Sequence, residues 1–137
     1  MIASSHVLTP EGYKDARSLK EGDVVYSWTS GRWFANTVKK IEVSQTGTIY
    51  SIHVFDGRHH MVLRCEPQQE FRHGRSSRTK AHKLKVGDLV LCSDECSAYK
   101  VAIGMIEEAP ADEPTIRLKL MYPYSNVCAE GFIVAAK

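Results

Sequence analysis

The sequence is poor in the features that would set it apart from ordinary globular proteins. Cysteine occurs four times in 137 residues (Cys65, Cys92, Cys96, Cys128), too few and too scattered for a disulfide scaffold. Cys92 and Cys96 are the nearest pair, and no second Cys or His pair follows at a zinc-like interval. No metal site is therefore expected from the cysteines. Charge of one sign is not in excess, since 18 Lys+Arg against 16 Asp+Glu leave +2, which argues against a dedicated nucleic-acid binder. No apolar run nears the ~20 residues that span a bilayer. The opening Met1-Ile2-Ala3-Ser4-Ser5-His6 lacks both the basic flank and the apolar stretch of a signal peptide. What remains is a composition of 43% hydrophobic and 25% charged residues, ordinary for a globular chain able to bury its own core. A single domain over 1–137 is expected, monomeric and cytoplasmic, with no membrane or nucleic-acid partner.

Helical periodicity is scarce as well, and only residues 15–20 are compatible with a helical turn. Short apolar runs bounded by Gly, Asp, Ser or Pro are frequent: Val24-Val25-Tyr26, Ile49-Tyr50-Ser51-Ile52-His53-Val54, Met61-Val62-Leu63, Leu89-Val90-Leu91 and Phe132-Ile133-Val134. Ile116, Leu118 and Leu120 alternate with Thr115, Arg117 and Lys119, the pattern of a half-buried strand. Asp56-Gly57 between two such runs signals a type I′ hairpin, whose central residues need positive φ. The polar stretches 72–80, which is basic, and 107–114, which is acidic and contains proline, read as exposed loops. The chain is expected to be all-β.

An internal repeat sharpens that reading. Ala16-Arg17-Ser18-Leu19-Lys20-Glu21-Gly22-Asp23-Val24-Val25 recurs 65 residues later as Ala81-His82-Lys83-Leu84-Lys85-Val86-Gly87-Asp88-Leu89-Val90, with six of ten positions identical. Val38, Ile41 and Val43 then precede Thr48-Ile49, as Val101, Ile103 and Ile106 precede Thr115-Ile116. A repeat that carries its flanking strands along implies a duplicated β-subdomain with pseudo-two-fold symmetry. Leu anchors each corner in the core, and Gly-Asp makes the turn that launches the next strand.

These paired Leu-Lys-x-Gly-Asp corners, the opening Val7-Leu8-Thr9-Pro10-Glu11-Gly12 and the closing Asn126-Val127-Cys128-Ala129-Glu130-Gly131-Phe132-Ile133-Val134 together resemble the Hint (hedgehog/intein) domain, over nearly the whole chain. The length resembles that of a mini-intein without a homing endonuclease. The resemblance implies a Hint-type horseshoe of pseudo-symmetric β-subdomains with converging termini. It also implies autocatalytic splicing, in which the domain excises itself and ligates its flanking segments, a chemistry that requires no metal and no cofactor. The partners implied are those flanking host-protein segments (exteins) in cis, or a complementary intein fragment if the domain is split. Localisation would follow the host protein.

The family's chemistry makes demands that the matching positions do not meet. Met1 stands where a Cys or Ser would attack the preceding carbonyl, and a thioether forms no acyl ester. Glu66 and Gln69 stand at the ends of the Thr-x-x-His motif, whose His protonates the leaving nitrogen. Leu118 falls near an assisting Asp. Ala135 and Ala136 replace the terminal His-Asn, so no side-chain amide is available to cyclise, and Lys137 stands in for the acceptor. Cys128, eight residues before Ala136, is a candidate internal nucleophile, or simply a small buried thiol. A subclass that uses an internal Cys places it nearer Leu118 and pairs it with a Trp, where this chain has Arg78. His59 and His60, and more weakly Cys65, are candidate substitutes for the missing proton donor.

Three readings stand side by side: an intein disabled at its reactive positions, an unusual intein that lacks the motif histidine, and a degenerate Hint module that binds rather than splices. A fourth, from a different class, is a β-barrel adaptor that takes peptides along an edge strand and uses Trp28, Trp33 and Tyr122-Pro123-Tyr124. The splicing readings require Met1 and Ala136 to meet in one cleft.

Overall fold

The computed structural model describes residues 1–57, 59–74, 77–94, 97–123 and 125–136. Cys96, Tyr124 and Lys137, named above, lie outside them. The strands run β1 (His6–Thr9), β2 (Gly12–Asp15), β3 (Val24–Thr29), β4 (Arg32–Ser44), β5 (Thr48–Asp56), β6 (His59–Cys65), β7 (Glu70–Arg72), β8 (Arg78–Lys80), β9 (Leu89–Ser93), β10 (Ala98–Pro110), β11 (Thr115–Leu120), β12 (Asn126–Ala129) and β13 (Phe132–Ala135). The fold is all-β, and each apolar run picked out in the sequence lies within a strand. The two stretches read as loops are partly strand: β7 and β8 pair across residues 72–78, and Glu107–Pro110 is the end of β10. Their side chains are polar because these are surface strands, and polarity alone does not separate such a strand from a loop.

The duplication is visible atom by atom. Each corner is a 3-10 turn, Ala16–Ser18 and Ala81–Lys83. Leu19 N–H donates to the Ala16 carbonyl at 3.2 Å and Leu84 N–H to that of Ala81 at 3.2 Å. Gly22 (φ 92°) and Gly87 (φ 96°) then reverse the chain in a region closed to L side chains. Gly22 N–H reaches the Val38 carbonyl and Gly87 N–H that of Ile103, both at 2.8 Å. The Asp23 carboxylate accepts from Lys20 N–H at 2.9 Å, as Asp88 does from Lys85 N–H at 2.9 Å. Aspartate is therefore a cap on the turn as well as part of it.

The long strands β4 and β10 carry the symmetry further. Each changes partner midway: β4 pairs first with β3 and then with β11, while β10 pairs first with β9 and then with β5. The strand that follows each long strand in sequence thus pairs with the long strand of the other copy. The register slips at equivalent points, opposite Lys119/Leu120 in one copy and between Ile103 and Met105 in the other. At the second slip a Cβ on Gly104 would lie 2.6 Å from the Phe55 ring, so any side chain there would have to displace that half-exposed ring. Local strand patterns cannot reveal this exchange, because both pairings bury the same alternating face.

Two sheets result, one ordered β2-β1-β12-β13-β9-β10-β5-β6 with β7 and β8 appended at β13, the other β11-β4-β3. Phe71 and Phe132 meet edge to face at 5.6 Å in the fully buried centre. β12 and β13 form a hairpin through Glu130 (φ 51°) and Gly131 (φ 86°), the signature of a type I′ turn. The Asp56-Gly57 hairpin also forms, one residue later than expected: Asp56 pairs with His59 and ends β5, and Gly57 (φ 58°) begins the connection.

Candidate functional site

The cleft lies beside Met1, whose nitrogen bonds two of its lining residues. Ile116 N–H donates to the Met1 carbonyl at 2.8 Å and Ile2 N–H to the Arg64 carbonyl at 3.0 Å, so the first residues are threaded between β11 and β6. This places the Met1 nitrogen beside the Glu66-Pro67-Gln68-Gln69 turn. Gln69 N–H closes that turn on the Glu66 carbonyl at 3.1 Å, and Pro67 presets the φ of its second position. The second repeat corner holds the turn in place, with Ala81 N–H donating to the Gln69 carbonyl at 2.8 Å and His82 N–H to that of Pro67 at 3.2 Å. The residues at the positions of the Thr-x-x-His motif thus form a turn at the end of β6. Proline and the two glutamines, which break the apolar alternation, carry that signal.

Glu66 and Gln69 are buried and face the same atom. The Met1 ammonium donates to Glu66 Oε2 at 2.7 Å, to Gln69 Oε1 at 3.0 Å and to the Ile116 carbonyl at 3.4 Å. Gln69 also reaches the other end of the chain, its Nε2 donating to the Ala135 carbonyl at 3.2 Å. Ala136 N–H is held by the Ser125 carbonyl at 2.9 Å. The cleft has a volume of about 390 Å3, with Ala135, Ala136, Arg78 and Arg117 on its walls.

Arg117 is the residue that sequence reasoning missed. Leu118 was placed near the family's assisting Asp, but it is 2% exposed and belongs to the core. Its neighbour Arg117 is on the opposite face of β11, with Nε 3.9 Å from Glu66 Oε1. The alternation along this strand already assigned Arg117 to the outward face.

The other candidates lie elsewhere. His59 and His60 begin β6 while Glu66 follows its end, so six or seven residue steps, roughly 20–23 Å, separate them from Glu66. His60 Nε2 instead meets His53 Nδ1 at 2.8 Å, and His53 Nε2 meets Glu107 Oε1 at 2.6 Å. Cys128 pairs with Ile133, two residues along β12 from the Asn126–Ala135 pair, and its thiol meets the Tyr13 hydroxyl at 3.5 Å. Cys65 is fully buried beside Glu66, and burial pushes its thiol up to about 12, so no thiolate is available near neutrality. The structure therefore brings together Met1, Glu66, Gln69, Ala135 and Ala136, and leaves His59, His60 and Cys128 outside the cleft.

No family model matches the sequence, and no curated protein matches it. Solved structures do match in fold over the full length. A DnaB intein from Synechocystis superposes with a TM-score of 0.86 at 12% identity, covering 100% of this chain and 97% of that one. The TvoVMA intein superposes with a TM-score of 0.81 at 14% identity, covering 98% and 95%. A bacterial intein-like domain from Clostridium thermocellum reaches 19% identity and a TM-score of 0.78, covering 99% and 96%. Duplicated corners, exchanged strands and a glutamine bonded to both Met1 and Ala135 thus coincide with full-length superposition on inteins: the chain has the Hint fold of a mini-intein.

Proposed function

We propose that this chain is a protein-splicing domain of the Hint type whose cleft holds both splice junctions but whose reactive positions are filled by residues that cannot react. The observation that carries this reading is the double engagement of Gln69, which binds the Met1 nitrogen through Oε1 and the Ala135 carbonyl through Nε2. Where a residue precedes Met1, that nitrogen is the amide of the upstream junction. Glu66 and Gln69 then bracket the bond that an acyl shift breaks.

The chemistry stops at identifiable atoms. With Cys at position 1, the thiol would lose its proton, attack the preceding carbonyl and take the acyl group as a thioester. The released nitrogen would gain a proton and become an amine. The Met1 sulfur carries no proton and forms no stable acyl product. With Asn at position 136, the side-chain amide nitrogen would attack the main-chain carbonyl carbon of the same residue, forming a succinimide as the peptide bond to residue 137 breaks and its nitrogen leaves protonated as an amine. Ala136 has no such nitrogen. Flanking polypeptide segments in cis are the partners this reading requires.

A second reading, a Hint module that holds polypeptide without splicing, draws on Glu66. It is a carboxylate paired with a cation, where the family pattern has a Thr hydroxyl. One experiment separates the two. Met1→Cys, Ala136→Asn and Lys137→Cys are made in the domain placed between two reporter proteins, and the products are weighed by mass spectrometry. Ligated reporters together with free domain support splicing in a scaffold that manages without the motif histidine. A folded, intact precursor overturns it in favour of the second reading.

A further inference from the structure

The chain has two tryptophans, and both line a cavity that the splicing reading does not use. Trp28 and Trp33 face each other across β3 and β4 with ring centroids 4.9 Å apart. Phe34 and Tyr122 meet edge to face at 5.9 Å on another side, and Arg32 and Arg72 complete a groove of about 690 Å3. Tyr122 is 63% exposed, so aromatic surface lies open to solvent. No acidic residue is among the described residues that line it.

The sequence suggested these aromatics as contacts of an edge-strand adaptor. The edge itself is taken at Trp28, because Asn126 accepts from Trp28 N–H through Oδ1 at 2.7 Å and donates to the Trp28 carbonyl through Nδ2 at 2.9 Å. Aromatic side chains, and no free backbone at Trp28, are what the groove offers. The same two bonds tie its wall to the downstream junction, since Asn126 pairs with Ala135 across β12 and β13. Ala136 is held by Ser125, which lines this groove, and Pro123 is shared by the groove and the reactive cleft.

From this continuity we propose that the groove is a docking site for the polypeptide segment joined downstream of Ala136, selecting one that carries an aromatic side chain and carboxylates. The inference rests on the splicing reading for its occupant. A segment attached at the rim is present at about millimolar effective concentration, so modest contacts order it. Ring stacking in the groove supplies contact area. The arginines favour acidic side chains and select against basic segments.

The test uses tryptophan emission from the whole 137-residue chain extended after Lys137. One extension of ten residues contains a Phe and two Asp, and the other contains only Gly and Ser. The expected result is a blue shift and a fall of about twofold in the acrylamide quenching constant for the first extension alone, reversed by Arg32→Glu. Equal quenching in the two extended chains overturns the proposal. So does a change that grows with protein concentration, which would make a second copy the occupant. A comparable change produced in the unextended chain by a ten-nucleotide oligothymidine also overturns it. Because no bond is made or broken, the outcome is independent of splicing. Reporter ligation without protection here removes the groove and keeps the splicing reading, and protection without ligation does the reverse.

Discussion

Glu66 Oε2 lies 2.7 Å from the Met1 nitrogen, and only 4% of the Met1 side chain and 9% of that of Glu66 is exposed. An ion pair so enclosed is asymmetric: removing one partner leaves the other buried and uncompensated. Glu66→Ala is therefore expected to cost about 3 kcal/mol in a chain with a free Met1 ammonium. In a chain with one residue added before Met1, the nitrogen is a neutral amide and the same substitution should cost roughly 1 kcal/mol. Urea denaturation of the four proteins measures the difference directly. Equal costs in both backgrounds would show that Glu66 acts through packing and not through the pair.

The repeat makes a quantitative claim about equivalence. Asp23 and Asp88 cap the same turn at the same 2.9 Å, and the glycines before them have φ of 92° and 96°. Asp23→Ala and Asp88→Ala should each cost about 1 kcal/mol, the usual size of a lost cap, and should add in the double variant. Gly22→Ala and Gly87→Ala should be worse, at roughly 1–2 kcal/mol each, because no L residue adopts that φ without strain. Thermal denaturation of the single and double variants checks both statements.

Strands and corners were legible because alternation and the Leu-Lys-x-Gly-Asp repeat are local. Ile116, Leu118 and Leu120, which alternate with polar residues in the sequence, form the buried face of β11, whereas the turn at 66–69 was not foreseen. What was not legible depends on contacts far apart in the chain. Nothing local says that β5 leaves its own repeat for β10, or that Gln69 spans Met1 and Ala135. The same holds for the Asn126–Trp28 clamp, which joins residues 98 apart.

That clamp is open to test. Asn126 is 1% exposed, and its amide fills both hydrogen-bonding positions of Trp28. Asn126→Ala strands a backbone donor and acceptor together, for an expected loss of about 2–4 kcal/mol. Asn126→Asp keeps the acceptor and loses the donor, and should fall between. Denaturation followed by tryptophan emission reports stability and the Trp28 environment in one experiment. An Asn126→Ala protein of unchanged stability would remove the clamp from the account.

Two enclosed thiols give the fold an alkaline limit. Burial pushes both Cys65 and Cys92 up from 9.0 to about 12. Each thiol therefore ionises in the unfolded chain before it does in the folded one, and between these values the folded state binds more protons. The stability they contribute is complete below pH 9 and is lost as pH rises towards 12. At pH 10 the loss is on the order of 1 kcal/mol per thiol, because the thiolate already predominates in the unfolded chain. The urea midpoint at pH 10 should thus fall below that at pH 8, and Cys65→Ala should flatten the dependence even though its cavity lowers stability at every pH.

Gln69 stands where the family pattern has its histidine, and it touches the Met1 nitrogen as an acceptor, through Oε1 at 3.0 Å. A primary amide is far too weak an acid to protonate a leaving nitrogen near neutrality, so Gln69 orients the junction without serving as its general acid. If the splicing reading holds, the Met1→Cys domain with an upstream reporter should form its thioester slowly. Gln69→His places an imidazole beside the same nitrogen and should raise thiol-induced upstream cleavage by about a hundredfold, within the usual span of general acid catalysis. The gain should follow protonation of the imidazole, strongest below about pH 7 and fading above it. Gln69→Ala, which removes the contact without adding an acid, should be slower than the parent. An unchanged rate in Gln69→His would mean that the nitrogen is not the leaving atom of a competent junction, and the chain would then be better described as a Hint fold that holds its ends without breaking them.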